Sequence, residues 1–315
     1  MRILLPLLLL SLAAHAAADF PSKPIHIVTG APPGTPGDVA SRIFADPLAR
    51  VLGQPVIIEN RPGAIGTIAL GAVAKSAPDG HTLGMFTMPS TIAQSLLGTM
   101  SYDTVRDFAP VRQVGWVSNV LVVRANAPFR SVPDLVAAAK ARPQALTFAS
   151  GGNGTPAHVA AELFRLDAGI EMRHVPYNGA VAGVAAVMGE QVDMMFAIAP
   201  SVIGQVKAGK LRALATPAPS RLPAMPELPT LAELGYPVNV RDWTGLVAPA
   251  ATPRELVARI DAALVAVLAE PAVRERLAVA GFEPAESGPE AFAALIASEV
   301  QKWARVVNEA GIKPD

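Results

Sequence analysis

Pro24-Ile25-His26-Ile27-Val28-Thr29 runs straight into Gly30-Ala31-Pro32-Pro33-Gly34-Thr35-Pro36-Gly37-Asp38, and the two together decide how the chain is read. The first is a short β-rich run closed by glycine. The second is a glycine- and proline-rich loop, after which Gly37–Leu52 carries Val39, Ile43, Pro47 and Val51 along one stripe at helical spacing. Strand, glycine loop, helix is the opening of an α/β unit. Thr35 then Pro36 suits an N-cap followed by the first helical position. Free amide N–H groups and the positive end of a helix dipole make such a loop an anion site.

Outward from this point the grammar repeats. Pro55–Glu59 reads as strand, Ile65–Ala74 as helix and Thr82–Thr87 as strand. Gly115–Arg124 is one longer apolar strand. Ser131–Ala141, Pro156–Ala168, Ala180–Met188 and Pro200–Ala208 read as helices between the strands Ala145–Ala149, Glu171–Val175, Val192–Phe196 and Leu211–Thr216. From Pro253 the chain is mostly helical, ending in Pro289–Ala310, and Thr252-Pro253-Arg254-Glu255 has the spacing of a capping box. Such alternation implies parallel α/β layers with helices on both faces. It occurs once before about Val111 and again after about Ser131, so the expected arrangement is two α/β lobes. The chain crosses between them at Gly115–Arg124 and at Val240–Ala248. The expected division is 19–118 with 245–315 as one lobe and 119–244 as the other. Ligands of such folds bind in the crevice at the carboxyl ends of strands.

The second lobe has its own glycine loop in the corresponding place, Ser150-Gly151-Gly152-Asn153-Gly154-Thr155-Pro156. Thr-Pro could simply be how this chain starts helices. Two glycine-rich loops at matching positions of two lobes favour a shared ligand, although Asp38 in the first turn would compete with an anion.

Composition narrows the classes. The chain has 315 residues, 51% hydrophobic and 17% charged, enough apolar side chain for a sizeable core. Lys+Arg and Asp+Glu are both 26, which argues against a nucleic-acid partner. With no cysteine there is no disulfide, thiol nucleophile, Cys-ligated metal or lipid-bearing cysteine. Arg2, the apolar run Ile3–Leu10 and Ala16-Ala17-Ala18 form the pattern of a secretory signal over residues 1–18. A cysteine-free exported chain points to a bacterial periplasm.

Nucleotide motifs fail on context. Gly152-x-Gly154-x-x-Ala157 follows a strand, but the next strand begins with Glu171 and ends in His174-Val175-Pro176, not in the acidic residue a dinucleotide needs. Gly204-x-x-x-x-Gly209-Lys210 is followed by Leu211 and a strand, where a P-loop has a hydroxyl and a helix. There is no Gly-x-Ser-x-Gly elbow and no His-Glu-x-x-His. His158 and His174 flank the second loop, so an exported hydrolase stays open as the rival class. Its test is a nucleophile within hydrogen-bond reach of either ring.

Ordered along the chain are Val56-Ile57-Ile58-Glu59-Asn60-Arg61-Pro62-Gly63-Ala64, Pro78-Asp79-Gly80-His81-Thr82-Leu83, Arg106-Asp107-Phe108, His174-Val175-Pro176-Tyr177, Gly189-Glu190-Gln191-Val192-Asp193-Met194-Met195-Phe196, Ala208-Gly209-Lys210-Leu211-Arg212-Ala213-Leu214 and Trp243-x-Gly245-Leu246-x-Ala248-Pro249. With the two glycine loops, they make the whole mature chain resemble the Bug extracytoplasmic solute receptors, the TctC-like component of tripartite tricarboxylate transporters. The resemblance implies a type II periplasmic-binding-protein fold that closes on a small carboxylate. It implies no enzyme activity, no cofactor and no metal. The implied partners are membrane permease subunits, with a signalling partner as the alternative, and the implied state is a monomer. It places ligand contacts at Pro33, Gly34, Thr35 and Asp38, at Ser90 and Thr91, at Ser150, Gly152, Gly154 and Thr155, and at Tyr177 and Ala197. Two departures stand out. The first loop lacks the Pro-Pro-Gly-Gly-Gly-Thr-Asp form, and Ala197-Ile198 stands where many members carry Asp. Without that carboxylate the expected ligand has no α-ammonium, since burying an unpaired ammonium is costly.

Overall fold

The computed structural model describes residues 20–285 and 287–314; the signal-like segment 1–18 lies outside them. Two sheets carry the fold. The first contains β1 (Ile25–Thr29), β2 (Val56–Asn60), β3 (Thr82–Thr87), β4 (Phe108–Val117), β10 (Asp242–Pro249) and β11 (Phe282–Pro284), in the order β11-β4-β10-β3-β1-β2. The second contains β5 (Asn119–Arg124), β6 (Thr147–Ser150), β7 (Arg173–Pro176), β8 (Met194–Ile198) and β9 (Leu211–Ala215), in the order β7-β6-β8-β5-β9. Helices α1 (Pro36–Leu52), α2 (Thr67–Ala74) and α3 (Met88–Leu97) belong to the first sheet. Helices α4 (Val132–Ala141), α5 (Pro156–Ala168), α6 (Ala180–Met188) and α7 (Ala199–Lys207) belong to the second, and α8 (Arg254–Ala269), α9 (Pro271–Val279) and α10 (Pro289–Ala310) close the chain.

The sheets are mixed, where an all-parallel arrangement was expected. β1 runs parallel to β2 and β3, and β6 runs parallel to β7 and β8. β10 is antiparallel to β3 and β4, and β5 is antiparallel to β8 and β9. These reversed strands are where the chain enters each sheet from the other one. The run Gly115–Arg124 is therefore not one strand. It breaks at Ser118, with Val117 pairing Asp242 in the first sheet and Asn119 pairing Ile198 in the second.

The period of two along each strand sorts its side chains between layers. Ile25, Ile27, Leu83 and Leu246 face α1, α8 and α9, packing on Phe44, Leu48, Ile260 and Leu264. Val28, Phe86, Trp243 and Val247 face the other way, onto Leu70, Ile92, Phe292 and Trp303. That layer continues into Phe148 and Phe196 of the second sheet and Phe164 of α5. Helix α10 lies along it, its buried stripe Phe292, Ile296, Glu299, Trp303, Val306 and Val307 packing on α3, β4 and also α5. The one acidic member of that stripe is satisfied: Trp303 Nε1 donates to Glu299 at 2.7 Å and Lys302 Nζ at 3.1 Å.

Three local expectations need correction. The second helix begins at Thr67, not Ile65, because Gly63 to Gly66 all take positive φ. Helix α3, with Pro89 in its first turn, is hidden in the sequence, since Met88 continues the apolar run of β3. The capping box at Thr252 does not form. Pro253 takes the N-cap place, no side chain caps the helix, and the Thr252 hydroxyl is buried without a partner.

Candidate functional site

Loop A (residues 30–38) leaves the carboxyl end of β1 and opens α1; loop B (150–156) leaves β6 and opens α5. In both, the threonine at the N-cap turns its hydroxyl backward. Thr35 Oγ1 donates to the Pro32 carbonyl at 2.7 Å, and Thr155 Oγ1 to the Gly152 carbonyl at 2.7 Å. Neither helix start is capped by a side chain. Helix α4 contrasts, because Ser131 accepts from the Asp134 amide there in the ordinary way. The turns thus hold their shape without spending the first-turn amides of α1 and α5 on a side chain. Two helix ends of this kind favour an anion by about 0.3–1 kcal/mol each, and amide bonds to a charged oxygen by about 1.5–3 kcal/mol each.

Asp38 does not stand open to compete. Its carboxylate accepts from the Gly34 amide at 2.9 Å, Arg42 Nε at 2.9 Å and Asn60 Nδ2 at 2.8 Å. Burial pushes the carboxyl up, but Arg42, the Gly34 amide and Asn60 outweigh it and hold the pKa below the ordinary value. Asp38 is the brace that folds Gly34 back over the start of α1. Pro33 and Gly34 are exposed at the tip and Thr35 is half-buried.

Loop B is braced from beneath. Gly154 N–H donates to His158 Nδ1 at 3.2 Å, which leaves the His158 proton on Nε2, facing Glu162 Oε1 at 3.7 Å. Arg165 Nε completes the row, 2.8 Å from Glu162. His174 stacks on His158 with ring centroids 3.9 Å apart, and its Nε2 lies 2.6 Å from Ser150 Oγ. This pair has the distance a hydrolase requires, but little else. Ser150 is fully buried, and its Oγ already accepts from the Gly152 amide at 3.1 Å. Burial first, then the His158 ring, lower the His174 pKa to about 4, so it is a weak base at neutral pH. The geometry is that of a scaffold for the glycines.

The other sequence-singled residues are spread around these loops. Ser90 is buried, its hydroxyl 3.4 Å from Thr87 Oγ1 at the start of α3. Thr91 turns back to the Met88 carbonyl at 2.6 Å. The Tyr177 amide donates to the Ser150 carbonyl at 3.0 Å, and its ring packs on the outer core of the second lobe. Ala197 has no exposed surface and shares the face of β8 with Met195, among Val120 and Val122. Ile198 packs toward the core of the first lobe.

Loop B meets the first lobe at the turn Gly63-Ala64-Ile65-Gly66, whose Ile65 the sequence places in a helix. A Cβ on Gly30 of loop A would lie 2.3 Å from Gly66 Cα, and a Cβ on Gly154 of loop B would lie 3.2 Å from Ile65 Cδ1 and 3.1 Å from Leu96 Cδ2. The turn touches both loops. A signal for it existed: Gly63-x-x-Gly66 between β2 and α2 follows the same strand, glycine, helix grammar.

Two α/β lobes with crossing strands, each with a glycine loop at the carboxyl end of a strand, define a periplasmic-binding-protein fold. Residues 40–312 match the model of the tripartite tricarboxylate transporter family receptor, TctC, and the chain belongs to that family of solute-binding receptors. Protein BugT of Bordetella pertussis is 37% identical over 306 residues, covering 96% of this chain and 94% of BugT. Rpa4515 of R. palustris, solved with adipate, superposes with a TM-score of 0.84 at 31% identity, covering 94% of this chain and 100% of that one. MatC of Rhodopseudomonas palustris, solved with bound malate, gives 0.81 at 31% identity, covering 91% and 100%. Among the described residues no helix is long and apolar enough to cross a membrane.

Proposed function

We propose that this chain is a periplasmic receptor that clasps a small organic carboxylate without an α-ammonium group between its lobes and presents it to a tripartite tricarboxylate-type permease. The observation that carries the reading is the paired treatment of loops A and B. Each folds its threonine back on itself and leaves a helix start uncapped at the carboxyl end of a strand. A carboxylate has two oxygens to offer such amides, and backbone donors bind it without a lysine or arginine. Adipate and malate in the two relatives are of this chemistry. Against an α-ammonium stand the engaged carboxylate of Asp38 and the apolar wall of Ile65 and Leu96 opposite loop B. The lobes must favour the closed state only when filled, or the permease would read an empty receptor.

Titration calorimetry against adipate, benzoate, malate, aspartate and glutamate tests the reading. At least one non-amino acid is expected to bind at about micromolar Kd or tighter, near −8 kcal/mol, with the two amino acids at least about a hundredfold weaker. Tight aspartate or glutamate binding would overturn the ammonium exclusion. No heat with any carboxylate, on protein freed of carried ligand by unfolding and refolding, would overturn the receptor reading.

A further inference from the structure

Ile65 has φ 56° and ψ 33°, and Ala64 before it has φ 44°. A β-branched residue in the left-handed region is a genuine outlier, and such strain persists where the surroundings over-determine it. Here they do. Gly66 is wedged against Gly30 of loop A and lies near the Ser90 hydroxyl, so the turn cannot relax toward the first lobe. Held there, the Ile65 side chain reaches loop B, its Cδ1 3.2 Å from the place a Cβ on Gly154 would occupy, next to Leu96 and with Ile92 behind. A glycine or asparagine would sit in this backbone with less strain and would leave that space open or polar.

Resting on the receptor reading above, we propose that Ile65 is the specificity-determining residue of the site. It presses an apolar wall against whatever the two loops hold, selecting a carboxylate whose body next to the charged group is plain hydrocarbon over one bearing a hydroxyl. The strained turn is the means of placing a branched apolar side chain between two loops otherwise built of glycine. A buried hydroxyl facing Ile65 and Leu96 would lose its water without gaining a partner.

The test uses the full mature chain and the variants Ile65→Gly, which removes the wall, and Ile65→Asn, which keeps a tolerated left-handed residue but makes it polar. Calorimetry gives Kd for adipate and benzoate, with hydrocarbon bodies, and for malate, with a hydroxyl; thermal melting reports folding. The wild type is expected to prefer a hydrocarbon-bodied acid. Both variants are expected to reduce that preference by about tenfold or more, the size of effect a pocket methylene or two commands, with the melting temperature unchanged or raised. A preference unchanged within twofold, or equal weakening of all acids together with a lowered melting temperature, would overturn the assignment while leaving the receptor reading intact. A wild type that binds no carboxylate would overturn both.

Discussion

Gly154→Ala is expected to weaken carboxylate binding by about ten- to a hundredfold, and the reason separates into two parts. Gly154 has φ +72°, so any Cβ there costs about 1–2 kcal/mol whether or not the lobes are closed. That part lowers stability and leaves affinity alone. The second part arises where loop B meets the first lobe, a contact already made in this structure, and it bears on affinity because a site shared by the two loops needs that approach. The new methyl would lie 3.1 Å from Leu96 Cδ2 and 3.2 Å from Ile65 Cδ1. Both neighbours are ends of side chains and can give slightly, but Ile65 is fixed by its turn and Leu96 is buried. Overpacking of this kind costs about 1–3 kcal/mol, which converts to the stated loss in Kd. Gly169→Ala is the matched control: its φ is +58° but nothing lies within 4 Å of the added Cβ. It should lower the melting temperature similarly without moving Kd. Equal effects of the two variants on Kd would show that the contact of loop B with Ile65 and Leu96 does not serve binding.

Trp303→Ala should cost about 4 kcal/mol of folding stability, a large share of the roughly 5–15 kcal/mol typical of a native domain. Trp303 has no exposed surface, and its ring lies under Lys302 Nζ at 4.4 Å. Removing it opens a cavity in the layer shared by α10, α3 and α5. It also takes from the buried Glu299 the 2.7 Å hydrogen bond of the indole, leaving a carboxylate supported by Lys302 alone. Trp303→Phe keeps most of the volume and loses only the donor, so it should cost less than half as much. Urea unfolding measures both. A loss below about 1 kcal/mol for alanine would mean that α10 is not part of the central layer.

Much of this architecture is legible in the residues alone. β1, loop A and α1 announce themselves because glycine and Thr-Pro punctuate sharply and the helix carries one apolar stripe. Loop B reads the same way, and so does the doubling into two α/β lobes. What the sequence hid has physical causes. Ser118 ends one strand and starts the path to the next inside an apolar run, because residues buried on both sides of the crossing look alike in one dimension. The residues that brace the loops, Asn60 and Arg42 around Asp38, and His158 with His174 beneath Gly154, come from distant elements and act through side chains. Their spacing carries no period. Ile65 sits inside what reads as a helix, and only its φ reveals that the helix starts two residues later. The threonine caps also misled in detail: Thr35 and Thr155 occupy the cap position but direct their hydroxyls away from the helix they precede.

The central claim is that amides of both loops hold one ligand at the same time. Backbone amide NMR on the mature chain, titrated with the best-binding acid from calorimetry, tests it most directly. The account predicts that Gly37 in the first turn of α1 and Ala157 in the first turn of α5 shift along one binding curve, with a Kd equal to the calorimetric value. Shifts confined to one loop at saturation, or none in either while heat is released, would contradict it.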